Sequence, residues 1–131
     1  MKCSWAVSYT HLVTEAEIYR NCAISCSRLS GTDMRISAAQ AADELLNIDG
    51  VDASFVLYSE NNVVFVSGRS MGLVNVQIIM ESIGGGGHLT MAGAQLSGVG
   101  LENARQQLLK AIDTYQENRA IDCLLYTSRC V

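Results

Sequence analysis

Apolar and polar positions change period several times along the chain, and each change marks an element. Residues 14–20 ("TEAEIYR") are mostly polar and read as a short helical segment. Residues 21–29 ("NCAISCSRL") alternate, as a strand with one buried face does. Over 36–50 the period lengthens: Ala38, Ala41, Ala42, Leu45 and Leu46 fall on one helical face, with Ser37 placed to cap the start and residues 47–50 to end it. Two β-branched and aromatic runs, "VDASFVLYS" and "VVFVSGRS", flank Glu60-Asn61-Asn62 and predict a hairpin. "NVQIIMESI" predicts a second helix, with Asn75 as N-cap and Gly84 as the residue just past its end. "LTMAGAQLSG" predicts another strand. The stripe Leu101, Ala104, Leu108, Ala111, Ile112 and Tyr115 predicts a long amphipathic helix. The order β-α-β-β-α-β-α implies an α/β fold, a mixed β-sheet with flanking helices.

Composition narrows the class. A chain of 131 residues, 49% hydrophobic and 17% charged, has the balance of one globular domain. The net charge of −4 argues against long nucleic acid as a partner, because phosphate backbones are met by clustered Lys and Arg. No apolar run reaches membrane-spanning length, and "MKCSWAVSYTHL" lacks the apolar block of a signal peptide, so the domain reads as cytoplasmic, without membrane contact. The cysteines Cys3, Cys22, Cys26, Cys123 and Cys130 show neither paired metal-ligand spacing nor an even disulfide count. Cys22 and Cys26 share one strand face, as buried structural thiols do.

The two flanks have a separate explanation. Val7-Ser8-Tyr9-Thr10-His11-Leu12 and Cys123-Leu124-Leu125-Tyr126-Thr127-Ser128 are two reading frames of one DNA string that resembles a transposon-end sequencing adapter. Its reverse complement reads Arg129-Cys130-Val131 and then a stop codon. Residues 1–12 and 122–131 are therefore expected to be adapter-derived tails, leaving 13–121 as the domain, a fragment of a larger protein.

Within that domain the unusual chemistry is "IGGGGHLTMAGAQL", four glycines leading into His88. Gly84 is explained as a helix stop. Gly85, Gly86 and Gly87 are open to two readings. One is a bare loop tip. The other is a turn whose N–H groups approach an anion with no Cβ in the way, phosphate being the usual one, with His88 at its edge. Arg69, at the end of a strand in "SGRSMG", suits bidentate phosphate recognition, although a lone strand-end arginine is commonly a solvated surface residue. A P-loop is excluded, since no Lys-Ser/Thr follows the glycines and the run follows a helix instead of opening one. One histidine without clustered carboxylates makes no metal site, and no nucleophile elbow supports a Ser-His-Asp hydrolase.

"ISAAQAADELLNIDGVDASFVL", "VSGRSMGLVNVQIIMESIGGGGHLTMAGAQL" and the last helix resemble the C-terminal DHH-associated domain of DHH-family phosphoesterases. The resemblance is closest to GdpP-type cyclic-di-AMP phosphodiesterases and covers about 15–118. It implies a domain that closes over a separate DHH lobe, where two Mn²⁺ ions hydrolyse cyclic di-AMP to linear pApA, in a parent anchored in the bacterial cell membrane. It implies substrate-binding roles for Gly85, Gly86, Gly87, His88 and Arg69, with Ser70 and Asn75 beside them. The chain contains no Asp-His-His motif, so no catalytic residue, metal ligand or cofactor is assigned to it, and it is expected to be inactive alone. An oligoribonuclease, a nucleoside-bisphosphate phosphatase or a non-catalytic nucleotide-binding module are the alternatives. Edge strands without neighbours leave room for a homodimer.

Overall fold

The computed structural model describes residues 16–27 and 34–130, with side chains described up to Asn118 and from Arg35 in the second stretch. The expected N-terminal tail lies outside the described residues.

Strands β1 (Glu17–Tyr19) and β2 (Cys22–Ser27) form an antiparallel hairpin. Its turn is Arg20-Asn21, with φ of 50° and 66°, left-handed values that match the twist of a two-residue hairpin. A helix expected over 14–20 is thus a strand. A polar segment of that length cannot sustain a helix by itself. As a strand it gains a partner in β2, and Tyr19 Oη donates to Asp113 Oδ1 at 2.7 Å while Glu17 pairs with Arg105.

Helix α1 (Met34–Leu45) crosses over to β3 (Ala53–Glu60), which lies parallel to β2. The helix begins three residues before Ser37, so Ser37 is buried within it and is not its cap. The expected apolar face holds: Ala38, Ala41, Ala42 and Leu45 are fully buried against Ala23, Val56 and Tyr58, with Leu46 partly so. Strands β3 and β4 (Val63–Ser70) pair through the expected turn, where Asn61 and Asn62 take φ of 54° and 65°. Asparagine tolerates that region better than other side chains.

Helix α2 (Val76–Ser82) starts as predicted, with Asn75 Oδ1 accepting from Gln77 N–H at 3.1 Å. Strands β5 (Gly86–Gly87) and β6 (Met91–Ser97) follow, then α3 (Leu101–Cys130), whose backbone runs on past residue 121. The observed order therefore adds β1 and β5 to the predicted elements. Among the described residues the sheet is mixed, in the order β1-β2-β3-β4-β6-β5, with β2 and β3 parallel and the other neighbours antiparallel. Among the described residues no helix is long and apolar enough to cross a membrane.

The two faces of the sheet are covered unequally. Helices α2 and α3 pack the larger core, around Phe55, Leu57, Val64, Ile79, Met80, Leu108 and Ile112. Cys22 is a full member of that core and Cys26 packs against it, as their shared strand face implies. Burial pushes the Cys22 thiol up to about 11, with the Asp52 charge adding to the effect. Among the described residues helix α1 alone covers the opposite face, over its β2–β4 half. Every second residue of β6 is consequently left uncovered: Met91, Gln95 and Ser97 are exposed and Gly93 half-buried. That uncovered half-face carries Arg69 at one end.

Candidate functional site

An open cleft of about 530 Å³ occupies the uncovered half-face. Phe65, Ser67 and Arg69 of β4 and Gly93 and Gln95 of β6 line it, with Arg35 and Ala39 of α1 on one side and Gly84 and Gly85 on the other. Register explains the grouping. Phe65 is opposite Gln95, Ser67 opposite Gly93, and Arg69 opposite Met91, so one row of side chains per strand rises from the same face.

Arg69 lies at the end of this floor, its side chain 15% exposed. Nη1 donates to the Gly68 carbonyl at 3.2 Å and to Ser67 Oγ at 3.4 Å, which folds the guanidinium back along β4 toward Phe65. Nε is buried and 3.3 Å from Asp43 Oδ1, yet the angle is too poor for a hydrogen bond. Asp43 itself is 68% exposed. The ion pair therefore holds Arg69 weakly, and its charge is only loosely committed within the chain.

The glycine run is more ordered than a loop tip. Gly84, at φ 94°, and Gly85 close α2: Gly84 N–H donates to Glu81 O at 3.2 Å and Gly85 N–H to Met80 O at 2.7 Å, the paired bonds of a Schellman stop. Gly86 and Gly87 then pair with Gly93 and Ala92, and His88 N–H donates to Met91 O at 2.7 Å to close the hairpin. A Cβ at Gly85 would fall 2.2 Å from Gly93 O, and one at Gly87 2.5 Å from Ala92 Cα. Close packing against β6 thus requires two of the glycines, whereas Gly86 has open space around it. Of the three glycine N–H groups expected to face an anion, two are used internally, that of Gly85 on Met80 O and that of Gly86 in its pairing with Gly93. Hydrogen-bonded and open pairs alternate along an antiparallel ladder, so Gly87 turns its N–H to the free edge of the sheet.

His88 is exposed, beside the Arg69–Met91 pair. The row Arg69, Met91, His88 spans two strand spacings, about 10 Å. Arg69 and His88 therefore do share one end of the sheet. Ser70 and Asn75 do not join them. Ser70 alternates to the core face, is buried, and accepts from Gly72 N–H at 2.9 Å. Asn75 caps α2, and its N–H donates to Tyr115 Oη at 2.9 Å. Two further features of the site were readable from alternation alone but not singled out: Phe65 and Ser67 share the face of Arg69. Phe65 stacks on Tyr58, with ring centroids 5.1 Å apart and planes 11° from parallel. Burial, then the Glu60 charge, raises the Tyr58 hydroxyl above its ordinary range, and Arg35 opposes this. Among the described residues no three His, Cys, Asp or Glu side chains converge to hold a metal ion.

Met71, Leu73, Leu89 and Met91 are all exposed at the same sheet end, between 45% and 69%. Two backbone bonds tie their loops together, Ser70 N–H to Thr90 O at 3.0 Å and Val76 N–H to Leu89 O at 3.1 Å.

Comparison with known proteins is consistent with this architecture. The model of the DHHA1 domain family matches residues 24–118. The chain is 44% identical over 108 residues to the cyclic-di-AMP phosphodiesterase PdeA of Listeria monocytogenes, covering 81% of the chain and 16% of that protein. It is 54% identical over 84 residues to the cyclic-di-AMP phosphodiesterase GdpP of Geobacillus thermodenitrificans, covering 63% and 13%. The chain thus spans about a sixth or less of these relatives. Among solved structures, an exopolyphosphatase-related protein from Bacteroides fragilis superimposes with a TM-score of 0.74 at 20% identity, over 87% of this chain and 35% of that one. That likeness is one of fold.

Proposed function

The chain belongs to the DHHA1 domain family, and we propose that it is the substrate-binding part of a cyclic-di-AMP phosphodiesterase. The observation that carries this reading is Arg69: a largely buried guanidinium on the floor of an open cleft, whose charge is met by one exposed and misaligned carboxylate. A phosphate oxygen offers that group the aligned, charge-assisted acceptor it lacks. His88 and the outward Gly87 N–H provide a second anchor two strands away, about 10 Å from backbone to backbone. Two anchors suit a ligand with two phosphates, such as a cyclic dinucleotide or its linear product. Hydrolysis to pApA then belongs to a DHH lobe carrying two Mn²⁺ ions elsewhere in the parent, as the family resemblance implies. The exposed Met71, Leu73, Leu89 and Met91 offer that lobe an apolar surface beside the phosphate anchors.

Calorimetric titration of cyclic di-AMP and pApA into the chain tests this. Saturable binding is expected, weakened roughly tenfold to hundredfold by Arg69→Gln, the loss of a hydrogen bond to a charged group. His88→Ala weakens it less, from an exposed position. Undiminished binding by Arg69→Gln overturns the reading. Turnover of cyclic di-AMP by the chain alone with Mn²⁺ overturns the assignment of catalysis to another lobe.

A further inference from the structure

We infer that the cleft also contains the seat of a purine base, with Phe65 as its stacking platform and Gln95 as the group that reads the base edge. The inference deepens the proposed phosphate site and rests on it for where the ligand's other end lies. The geometry begins with the Tyr58–Phe65 pair. These residues are direct partners across β3 and β4, and their centroid separation of 5.1 Å nearly equals the spacing of adjacent strands, about 4.8 Å. Two rings stacked at strand spacing and within 11° of parallel stand upright on the sheet, each facing its neighbouring strand. One face of Phe65 is therefore taken by Tyr58, which is buried, and the other looks across toward β6.

What lies there is a slot. Its floor is Gly93, which is the partner of Ser67 and lies two residues nearer the Arg69 end than Gln95, and beyond it Gly86 of β5, neither with a side chain. Gln95 is the direct partner of Phe65, is exposed, and lines the same cleft. A flat aromatic ligand entering the slot meets an apolar ring on one side and a free amide at its edge. An amide carries both a donor and an acceptor, the combination that pairs bidentately with adenine.

Distance ties the two ends of the cleft together. The Arg69 guanidinium leans back to Ser67, and Ser67 is two residues from Phe65, about 7 Å along a strand. This is the length scale between the phosphate and the base of one nucleotide. The Tyr58–Phe65 stack is thus positioned to receive the base of a nucleotide whose phosphate meets Arg69.

Titrating the chain with AMP, adenosine and ribose 5-phosphate, followed by amide and aromatic NMR shifts, tests the inference. AMP is expected to move Phe65, Ser67 and Gln95 together with Arg69, and the adenine protons to move upfield under the Phe65 ring. Ribose 5-phosphate is expected to move only the Arg69 end. Phe65→Leu should weaken AMP roughly five- to hundredfold, the value of one base–aromatic stack, and leave ribose 5-phosphate unchanged. Phe65→Tyr should restore it, which separates stacking from a folding defect. Gln95→Ala, at an exposed position, should narrow the preference for AMP over GMP. Identical maps for AMP and ribose 5-phosphate, or full AMP affinity in Phe65→Leu, overturn the platform while the phosphate reading stands. Shifts at Phe65 and Gln95 from adenosine, with Arg69 unmoved by ribose 5-phosphate, overturn the phosphate reading and leave the platform. No shift in the cleft at millimolar AMP overturns both.

Discussion

Gly85 and Gly86 are adjacent and chemically identical, yet the fold assigns them opposite sensitivities. In Gly85→Ala the new Cβ lies 2.2 Å from Gly93 O and 2.6–2.7 Å from Ala94 Cβ and Cα. These atoms belong to backbone or to a one-carbon side chain, so no rotamer change relieves the clash. Either β5 must separate from β6, or Gly85 must shift and loosen its 2.7 Å bond to Met80 O. Overpacking of this kind costs roughly 1–3 kcal/mol, and a backbone hydrogen bond contributes about 1 kcal/mol more. The sum, roughly 2–4 kcal/mol, lowers Tm by about 10 °C for a domain of this size. In Gly86→Ala the Cβ meets no heavy atom within 4 Å, and Gly86 is not among the left-handed glycines. Restricting the unfolded chain then stabilises by about 0.4–1 kcal/mol, a small rise in Tm. Thermal unfolding by circular dichroism reads both. A Gly85→Ala chain melting within about 2 °C of the parent would refute the packing argument. A Gly86→Ala chain as damaged as Gly85→Ala would show that the open space at residue 86 is not there.

Three more outcomes follow from single contacts. Asn75→Ala should cost about 1 kcal/mol in urea unfolding by removing the cap of α2, with ligand affinity unchanged because the cap lies on the far face from the cleft. Asp43→Asn should raise cyclic di-AMP affinity about two- to fivefold, as the competing carboxylate is removed from Arg69, and titration at two salt concentrations reads it. Folded Cys22 holds its proton up to about 11, against 9.0 for a free thiol, so the unfolded chain loses that proton first on alkalinisation. Stability from this group is complete below pH 9 and falls through pH 9–11, by about 2–3 kcal/mol, a loss that Cys22→Ala should flatten.

How far the sequence could be read depended on the range of the interaction concerned. The Asn61-Asn62 turn, the Asn75 cap, the Gly84 stop and the α1 alanine face are each decided within a few residues, and each was legible. Strand β1 was not, because Glu17 and Tyr19 are held by Arg105 and Asp113 on a helix some ninety residues away. Strand β5 was hidden for the opposite reason: two glycines carry no pattern, and only contact with Gly93 and Ala92 makes them a strand.

The site divides along the same line. Arg69 and His88 were nominated by residue type, and pairing through Met91 sets them at one sheet end. Ser70 neighbours Arg69 in sequence, but alternation sends it to the core, so proximity along a strand misleads where register does not. The same alternation carries Phe65 and Ser67 to the Arg69 face, and this was available from the sequence without any structure. What was unavailable is that α1 stops short of β6. That coverage is set by how α1 packs on β2–β4, with Val56 and Tyr58 beneath Ala38, Ala41 and Ala42. The alanine face that made α1 easy to predict is narrow, and it leaves the next two strands open. The helix that was clearest in the sequence thus determines, by its limited breadth, where the cleft of the candidate site opens.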